Sequence, residues 1–192
     1  PLCLPHGEEA LYREKVWRLP HSRFCMAPPA EAPEVNELPA LSRGTVTLGC
    51  FQELTKLNDR VLRIWARAMD GMPGVRLRVQ STRLAKAEDR SRFRERLQTA
   101  GIDTSRCELV PPSDRVTYLR AHHEIDFILD SFPYTGGTTT TEALWMGVPT
   151  LTLARPGMLG RQGEAHLRNV GLDHWVAHDE DYFVKRAIRH AS

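Results

Sequence analysis

Ile125-Asp-Phe-Ile-Leu-Asp130-Ser-Phe-Pro-Tyr-Thr-Gly136-Gly137-Thr138-Thr139-Thr-Thr-Glu142-Ala-Leu-Trp145 is the stretch that decides the fold. Its first six residues form a short apolar run suited to a buried strand. A glycine pair follows, and the spacing from Thr138 to Met146 is helical. Strand, glycine turn and helix in that order make a βα unit of a parallel sheet.

The same alternation extends in both directions. Thr45-Val-Thr-Leu-Gly-Cys-Phe51 is a β-branched strand candidate, and Asn58-Asp59 offers an N-cap for a helix over Val61 to Met69. Val75 to Val79 alternates as a strand, Asp89 to Ala100 reads as a helix stopped by Gly101, and Cys107 to Val110 is a third strand ended by Pro111-Pro112. Ser113 or Asp114 caps a helix reaching about His123; Pro149 to Ala154 is a strand, and helices close the chain near 161–169 and 180–191. The expected fold is therefore α/β: a Rossmann-like open parallel sheet flanked by helices. Ahead of it, residues 11–19 form a short amphipathic stretch ended by Pro20. Residues 27–43 carry Pro28, Pro29, Pro33 and Pro39 with few apolar residues, the composition of a linker without helix or strand. Three segments are expected: 1–26, the linker 27–43, and the α/β unit 44–192.

Right-handed crossovers place all strand C-termini at one edge, where ligands of such sheets bind. Among the loops at that edge, Gly136 and Gly137 let backbone amides approach a ligand without a Cβ in the way. Thr138 and Thr139 then open a helix whose unsatisfied N–H groups and dipole favour an anion, and the hydroxyls add donors. The competing reading is a capping box, Thr139-x-x-Glu142. The loop lacks the GK[ST] of a P-loop and the GxGxxG of dinucleotide folds. A cation must come from elsewhere, and Lys56, after the first strand, is aimed at the same edge. Tyr118, beyond Pro111-Pro112, either stacks on a base or packs its helix on the sheet. Glu142, one turn past the threonines, either accepts from a ribose hydroxyl or completes the cap.

Composition narrows the function classes. The chain has 192 residues, 26 Lys and Arg against 24 Asp and Glu, and 41% hydrophobic residues, as in an ordinary globular domain. A net charge of +2 argues against a generic polyanion binder, and the arginines of residues 76–97 read as a solvated helix surface ahead of a nucleic-acid patch. The uncharged run 143–154 is interrupted by Gly147 and Pro149 and is shorter than the ~20 residues of a membrane helix. Cys3, Cys25, Cys50 and Cys107 form no CxxC pair, which with the absence of a signal-like start points to a reducing cytoplasm. His174 and His178 lack a third ligand beyond the weak candidates Asp173 and Asp179, so no metal site is expected. No Ser-His-Asp, Cys-His or glycosidase carboxylate pair stands out. Without an initiator Met, and stopping directly after a helical pattern, the sequence reads as a fragment of something longer.

Three ordered motifs carry a resemblance: Gly49-Cys-Phe-Gln-Glu-Leu-Thr-Lys56, Asp130-Ser-Phe-Pro-Tyr-Thr-Gly-Gly-Thr-Thr139, and Ala143-Leu-Trp-Met-Gly-Val-Pro-Thr-Leu-Thr152. They resemble the O-GlcNAc transferase family, the family 41 glycosyltransferases, as a bacterial homologue. Arg155 to Arg161, Val170-Gly-Leu and Asp181-Tyr-Phe are similar to the family's closing region, and the likeness runs from about Tyr12 to Arg186. It implies the C-terminal half of a GT-B glycosyltransferase, with residues 1–26 the tail of the preceding catalytic half and tetratricopeptide repeats further upstream. The implied activity is inverting, metal-free transfer of N-acetylglucosamine from UDP-GlcNAc to Ser or Thr of proteins. No cofactor is implied beyond the UDP-sugar donor, and the protein acceptor would be held by the N-terminal half.

By resemblance, Lys56 neutralises the donor diphosphate, with Gln52 or Glu53 beside it. Thr138 and Thr139 hold phosphate, Ser113 and Arg115 frame uracil, and Glu142 takes the place of a ribose-binding aspartate. Gly137 stands where members have His, and Tyr118 where many place a His over the base. Two alternatives stay open: a UDP-glucose-dependent GT-B enzyme acting on Asn or another acceptor, and a non-catalytic nucleotide-sugar-binding or interaction module. The isolated fragment is expected to bind donor without catalysing transfer.

Overall fold

The computed structural model describes residues 2–192. Six strands, β1 (Thr47–Cys50), β2 (Arg76–Gln80), β3 (Cys107–Val110), β4 (Phe127–Leu129), β5 (Thr150–Leu153) and β6 (Val176–Ala177), form one sheet in the order β3-β2-β1-β4-β5-β6. Every pairing is parallel, and β1 pairs both β2 and β4, with Leu48 opposite Leu77 on one side and Phe127 on the other. Strand order reverses between β1 and β4, the topological switch point where open α/β sheets bind ligands.

The helices are α1 (Pro39–Arg43), α2 (Asp59–Asp70), α3 (Ala87–Thr99), α4 (Arg115–Arg120), α5 (Thr138–Trp145), α6 (Gln162–Asn169) and α7 (Glu180–His190). Asn58 caps α2 by accepting from the Val61 amide, Asp114 caps α4 through Thr117, and Asp179 caps α7 through Tyr182. Alternation along the strands divides the core. Leu48, Leu77, Val79, Phe127, Leu129 and Leu151 join the apolar faces of α2, α3 and α7 in the larger cluster, anchored by Trp65 and Phe183. Ile128, pointing the opposite way, joins Phe51, Ile125, Ala143 and Val148 in a smaller cluster against Tyr118. The second cluster lies under the switch point.

The α/β expectation holds, with four local corrections. Pro39–Arg43, inside the proline-rich stretch, is a helix: buried Pro39 sits at its first turn, Gly44 ends it at φ +65°, and the Asp126 carboxylate accepts from Ala40 N at 2.8 Å and Thr47 N at 2.7 Å. Residues 11–19 form no α-helix; a single 3-10 turn spans Glu9–Leu11, and Trp17 is 88% exposed. The helix after Asp114 ends at Arg120 and tightens into a 3-10 turn, Ala121–Glu124. The two-residue edge strand β6 has no counterpart in the sequence reading. No helix among the described residues is long and apolar enough to cross a membrane.

Candidate functional site

The site is built where β1 and β4 leave the sheet side by side. β4 delivers Asp130, fully buried, as the hub of the loop that follows. Its Oδ1 accepts from the amides of Ser131 and Gly136, both at 2.9 Å, and from Gln52 Nε2 at 3.3 Å. Its Oδ2 accepts from the Thr152 hydroxyl at 2.7 Å. Burial pushes this carboxyl up to about 6, against the pull of those donors and of Lys56. Hydrogen-bonded on both oxygens, Asp130 folds the Gly136-Gly137 turn back onto the sheet.

From β1 come Gln52 and the 3-10 turn Leu54–Lys56. The buried Gln52 amide bridges the site: Nε2 also donates to Thr139 Oγ1 at 2.9 Å, and Oε1 accepts from Lys56 Nζ at 3.1 Å. The half-buried ammonium lies 3.9 Å from the Tyr134 ring centroid, and burial holds its pKa below the usual lysine range. Between Gln52 and Glu53, the structure chooses Gln52 for this cluster. Glu53 turns outward to the hydroxyls of Thr82, at 2.8 Å, and Ser81, at 3.3 Å.

Gly137 is the N-cap of α5 and provides no side-chain cap; the first intrahelical bond runs from Thr141 N to Gly137 O. The capping box is thereby overturned, because Thr139 is engaged with Gln52 and Glu142 with other partners. What remains is a helix start with amides ahead of the first intrahelical bond, exposed Thr138, and Lys56 tethered alongside, the arrangement that receives an anion. Gly136 is needed for space, since a Cβ there would collide with Gln52 and Thr140.

One turn further along α5, Glu142 is buried and held from two sides: Arg115 Nη1 lies 2.6 Å from Oε1, and the Tyr118 hydroxyl donates to Oε2 at 2.8 Å. Burial, then the Glu142 charge, raises the Tyr118 phenol well above its ordinary value, so it stays a donor. The Tyr118 ring meets Phe51 edge-on at 5.4 Å, and Phe51 stacks on His122 at 4.2 Å. His122, pushed down to about 4 by burial, is a neutral packing group. Tyr118 thus packs α4 on the sheet, the second of its two expected roles, and is half-buried. Ser113 is exposed at the β3 exit, and its hydroxyl accepts from Gln80 Nε2 at 3.1 Å.

The structure gathers Gln52, Lys56, Gly136, Gly137, Thr138 and Thr139 around the start of α5, with Glu142 one turn along it and Arg115 and Tyr118 reaching Glu142 from α4. Sequence reading missed Asp130, Thr135 and Gln162. Thr135 accepts from Gly163 N at 2.9 Å and donates to Leu159 O at 2.8 Å, while Gln162 Nε2 donates to Thr135 O at 3.3 Å, so α6 is pinned to the glycine loop. The sequence marks Asp130 only by position: a carboxylate directly after β4, at the head of the loop that carries Gly136-Gly137. The two buried carboxylates, Asp130 and Glu142, are spent on structural partners, whereas Glu53, near Lys56, is exposed and accepts from Ser81 and Thr82. Among the described residues no three His, Cys, Asp or Glu side chains are placed to hold a metal ion.

Comparison with known proteins gives the family and the fold. The sequence model of glycosyl transferase family 41 matches residues 36–192. The chain belongs to family 41. It is 38% identical over 189 residues to a tomato (Solanum lycopersicum) protein named "Probable UDP-N-acetylglucosamine--peptide N-acetylglucosaminyltransferase SPINDLY", covering 98% of this chain and 20% of that protein. The Arabidopsis thaliana protein of the same name is 38% identical over 180 residues, covering 93% and 20%. A solved O-GlcNAc transferase of Thermobaculum terrenum, a lysine-to-methionine mutant, superposes with a TM-score of 0.93 at 33% identity, covering 100% of this chain and 36% of that one. This family 41 chain therefore spans about a fifth of the length of the curated relatives it matches, and has the α/β fold of the C-terminal region of an O-GlcNAc transferase.

Proposed function

We propose that the chain is the donor-binding part of a UDP-sugar-dependent protein glycosyltransferase that moves N-acetylglucosamine from UDP-GlcNAc to Ser or Thr of proteins. The observation that supports this most is the Lys56–Gln52–Thr139 chain of hydrogen bonds, which sets one ammonium beside the start of α5. When the glycosidic bond breaks, negative charge builds on the departing diphosphate. A fixed cation and a helix N-terminus stabilise that charge without reorganising, each donor being worth ~3–4 kcal/mol in a dry site. Lys56 acts on the leaving group; Gly136, Gly137, Thr138 and Thr139 hold the phosphates. Arg115, Tyr118 and Glu142 hold the nucleoside end, with Ser113 at its rim.

Residues 44–192 form the nucleotide-sugar-binding unit in this reading, and 1–26 belong to the preceding catalytic half, joined through 27–43. That half supplies the acceptor groove and any base, so the chain alone binds donor without transferring sugar. Four free cysteines suit a reducing, cytoplasmic setting. Calorimetric titration with UDP, UDP-GlcNAc, UDP-glucose and ADP tests the reading. UDP and UDP-GlcNAc should bind more tightly than ADP; tighter binding of UDP-glucose would move the donor assignment, and equal binding of ADP would contradict a uridine site.

A further inference from the structure

The segment ahead of the α/β unit reaches into the donor site. Gly137 has φ −114°, outside the left-handed region, so its backbone does not call for glycine. Space does: a Cβ there would lie 2.6 Å from Gln162 Nε2 and 2.8 Å from Phe24 Cζ. A ring from residue 24 thus fills the wall beside the N-cap of the anion-facing helix. Phe24 is fixed by an edge-on contact to His166 at 4.5 Å, and the Arg23 guanidinium rests 4.6 Å from the Phe24 centroid. Arg23 Nη2 donates to Gln162 Oε1, the same amide that donates to Thr135 in the glycine loop.

Charge makes this arrangement informative. Arg18 and Arg161 on either side are paired with Glu9 and Glu8, whereas Arg23 takes part in no ion pair among the described residues. Two titratable groups lie beside it: burial and the nearby guanidinium push His166 down to about 4, and burial raises the Cys3 thiol against the pull of Arg23. Arg23 is exposed and reaches the start of α5 through Gln162, whose amide also packs beside Gly137, so an anion seated at that helix start would give this unpaired guanidinium a partner. The segment is strapped in place independently: Arg161 Nη1 contacts both Glu8 oxygens at 2.6 and 2.7 Å, and Asn169 Nδ2 donates to His21 O at 3.2 Å.

We propose that Arg23 and Phe24 complete the diphosphate subsite, Phe24 as the wall beside Gly137 and Arg23 as a second cation after Lys56. The inference rests on the donor-binding reading above. It makes the N-terminal segment part of the site and not merely a tether.

UDP and uridine titrations of the full chain, followed by NMR, test it with Arg23→Gln, Arg23→Lys, Gly137→Ala and the Gly137→Ala/Phe24→Ala pair. Arg23→Gln should weaken UDP about tenfold and leave uridine unchanged, as expected for one charge-assisted hydrogen bond lost. Arg23→Lys should recover most of that loss. Gly137→Ala should weaken UDP, and adding Phe24→Ala should restore part of the affinity by removing the obstructing ring. If Lys56→Ala abolishes UDP binding while Arg23→Gln stays within twofold of wild type, Arg23 is no part of the subsite. Equal losses for UDP and uridine in Arg23→Gln would make the residue structural only. A wild-type chain that binds no UDP overturns the donor reading and this inference together.

Discussion

Gln52 Nε2 lies 2.9 Å from Thr139 Oγ1, and that bond ties the exit of β1 to the first turn of α5. The same side chain touches Asp130 and Lys56, so one amide sets the spacing between the cation and the helix start. Replacing it with Leu keeps the volume but leaves a buried carboxylate one donor short. We expect Gln52→Leu to destabilise the chain by roughly 1–3 kcal/mol in urea unfolding and to weaken UDP binding. Unchanged stability and unchanged affinity would show that the bridge is incidental.

Asp130 titrates at about 6 in the fold against an ordinary 3.8, because it is buried. A raised acid holds more protons folded than unfolded between those values. Its contribution is full below 3.8 and is lost as pH rises through 6. Asp130→Asn does not titrate and turns an Nδ2 donor toward groups that are themselves donors, so it should be less stable throughout. The gap between wild type and variant should be larger at pH 4 than at pH 7, by up to roughly 3 kcal/mol. Thermal melts of both proteins across that range check it; a gap that widens with rising pH contradicts the burial argument.

Glu142 is clamped by Arg115 and Tyr118 one turn along α5 from its start, where the proposed donor reading puts the nucleoside. Glu142→Ala should therefore lower UDP affinity about tenfold and leave inorganic pyrophosphate binding as in wild type. Parallel losses for both ligands would instead mean that Glu142 only supports α5.

Much of this was legible in the chain because the signals were local. Cys107–Val110 falls where its apolar run and Pro111-Pro112 place it, and Asn58 and Asp114 cap the helices they precede. The gathering of Lys56, Gly136, Gly137, Thr138 and Thr139 followed from strand adjacency at the switch point. The helix Pro39–Arg43 was hidden by proline density, although Pro39 at the first turn and Gly44 after the last are ordinary helix punctuation. Strand β6 is two residues long and exists through its pairing with β5. Asp130 acquires its role from donors contributed by residues 52, 131, 136 and 152, and no local pattern announces that convergence. The Phe24 contact to Gly137 spans more than a hundred residues and was equally invisible.

The central claim is that Lys56 and the α5 N-terminus hold a nucleoside diphosphate. Its most direct test is calorimetric titration of UDP into the wild-type chain and into Lys56→Ala, at low and moderate salt. The account predicts binding to wild type that weakens with salt, as an exposed-mouth ion pair should, and a loss of about tenfold or more in the variant. Wild-type binding that Lys56→Ala leaves intact would contradict it.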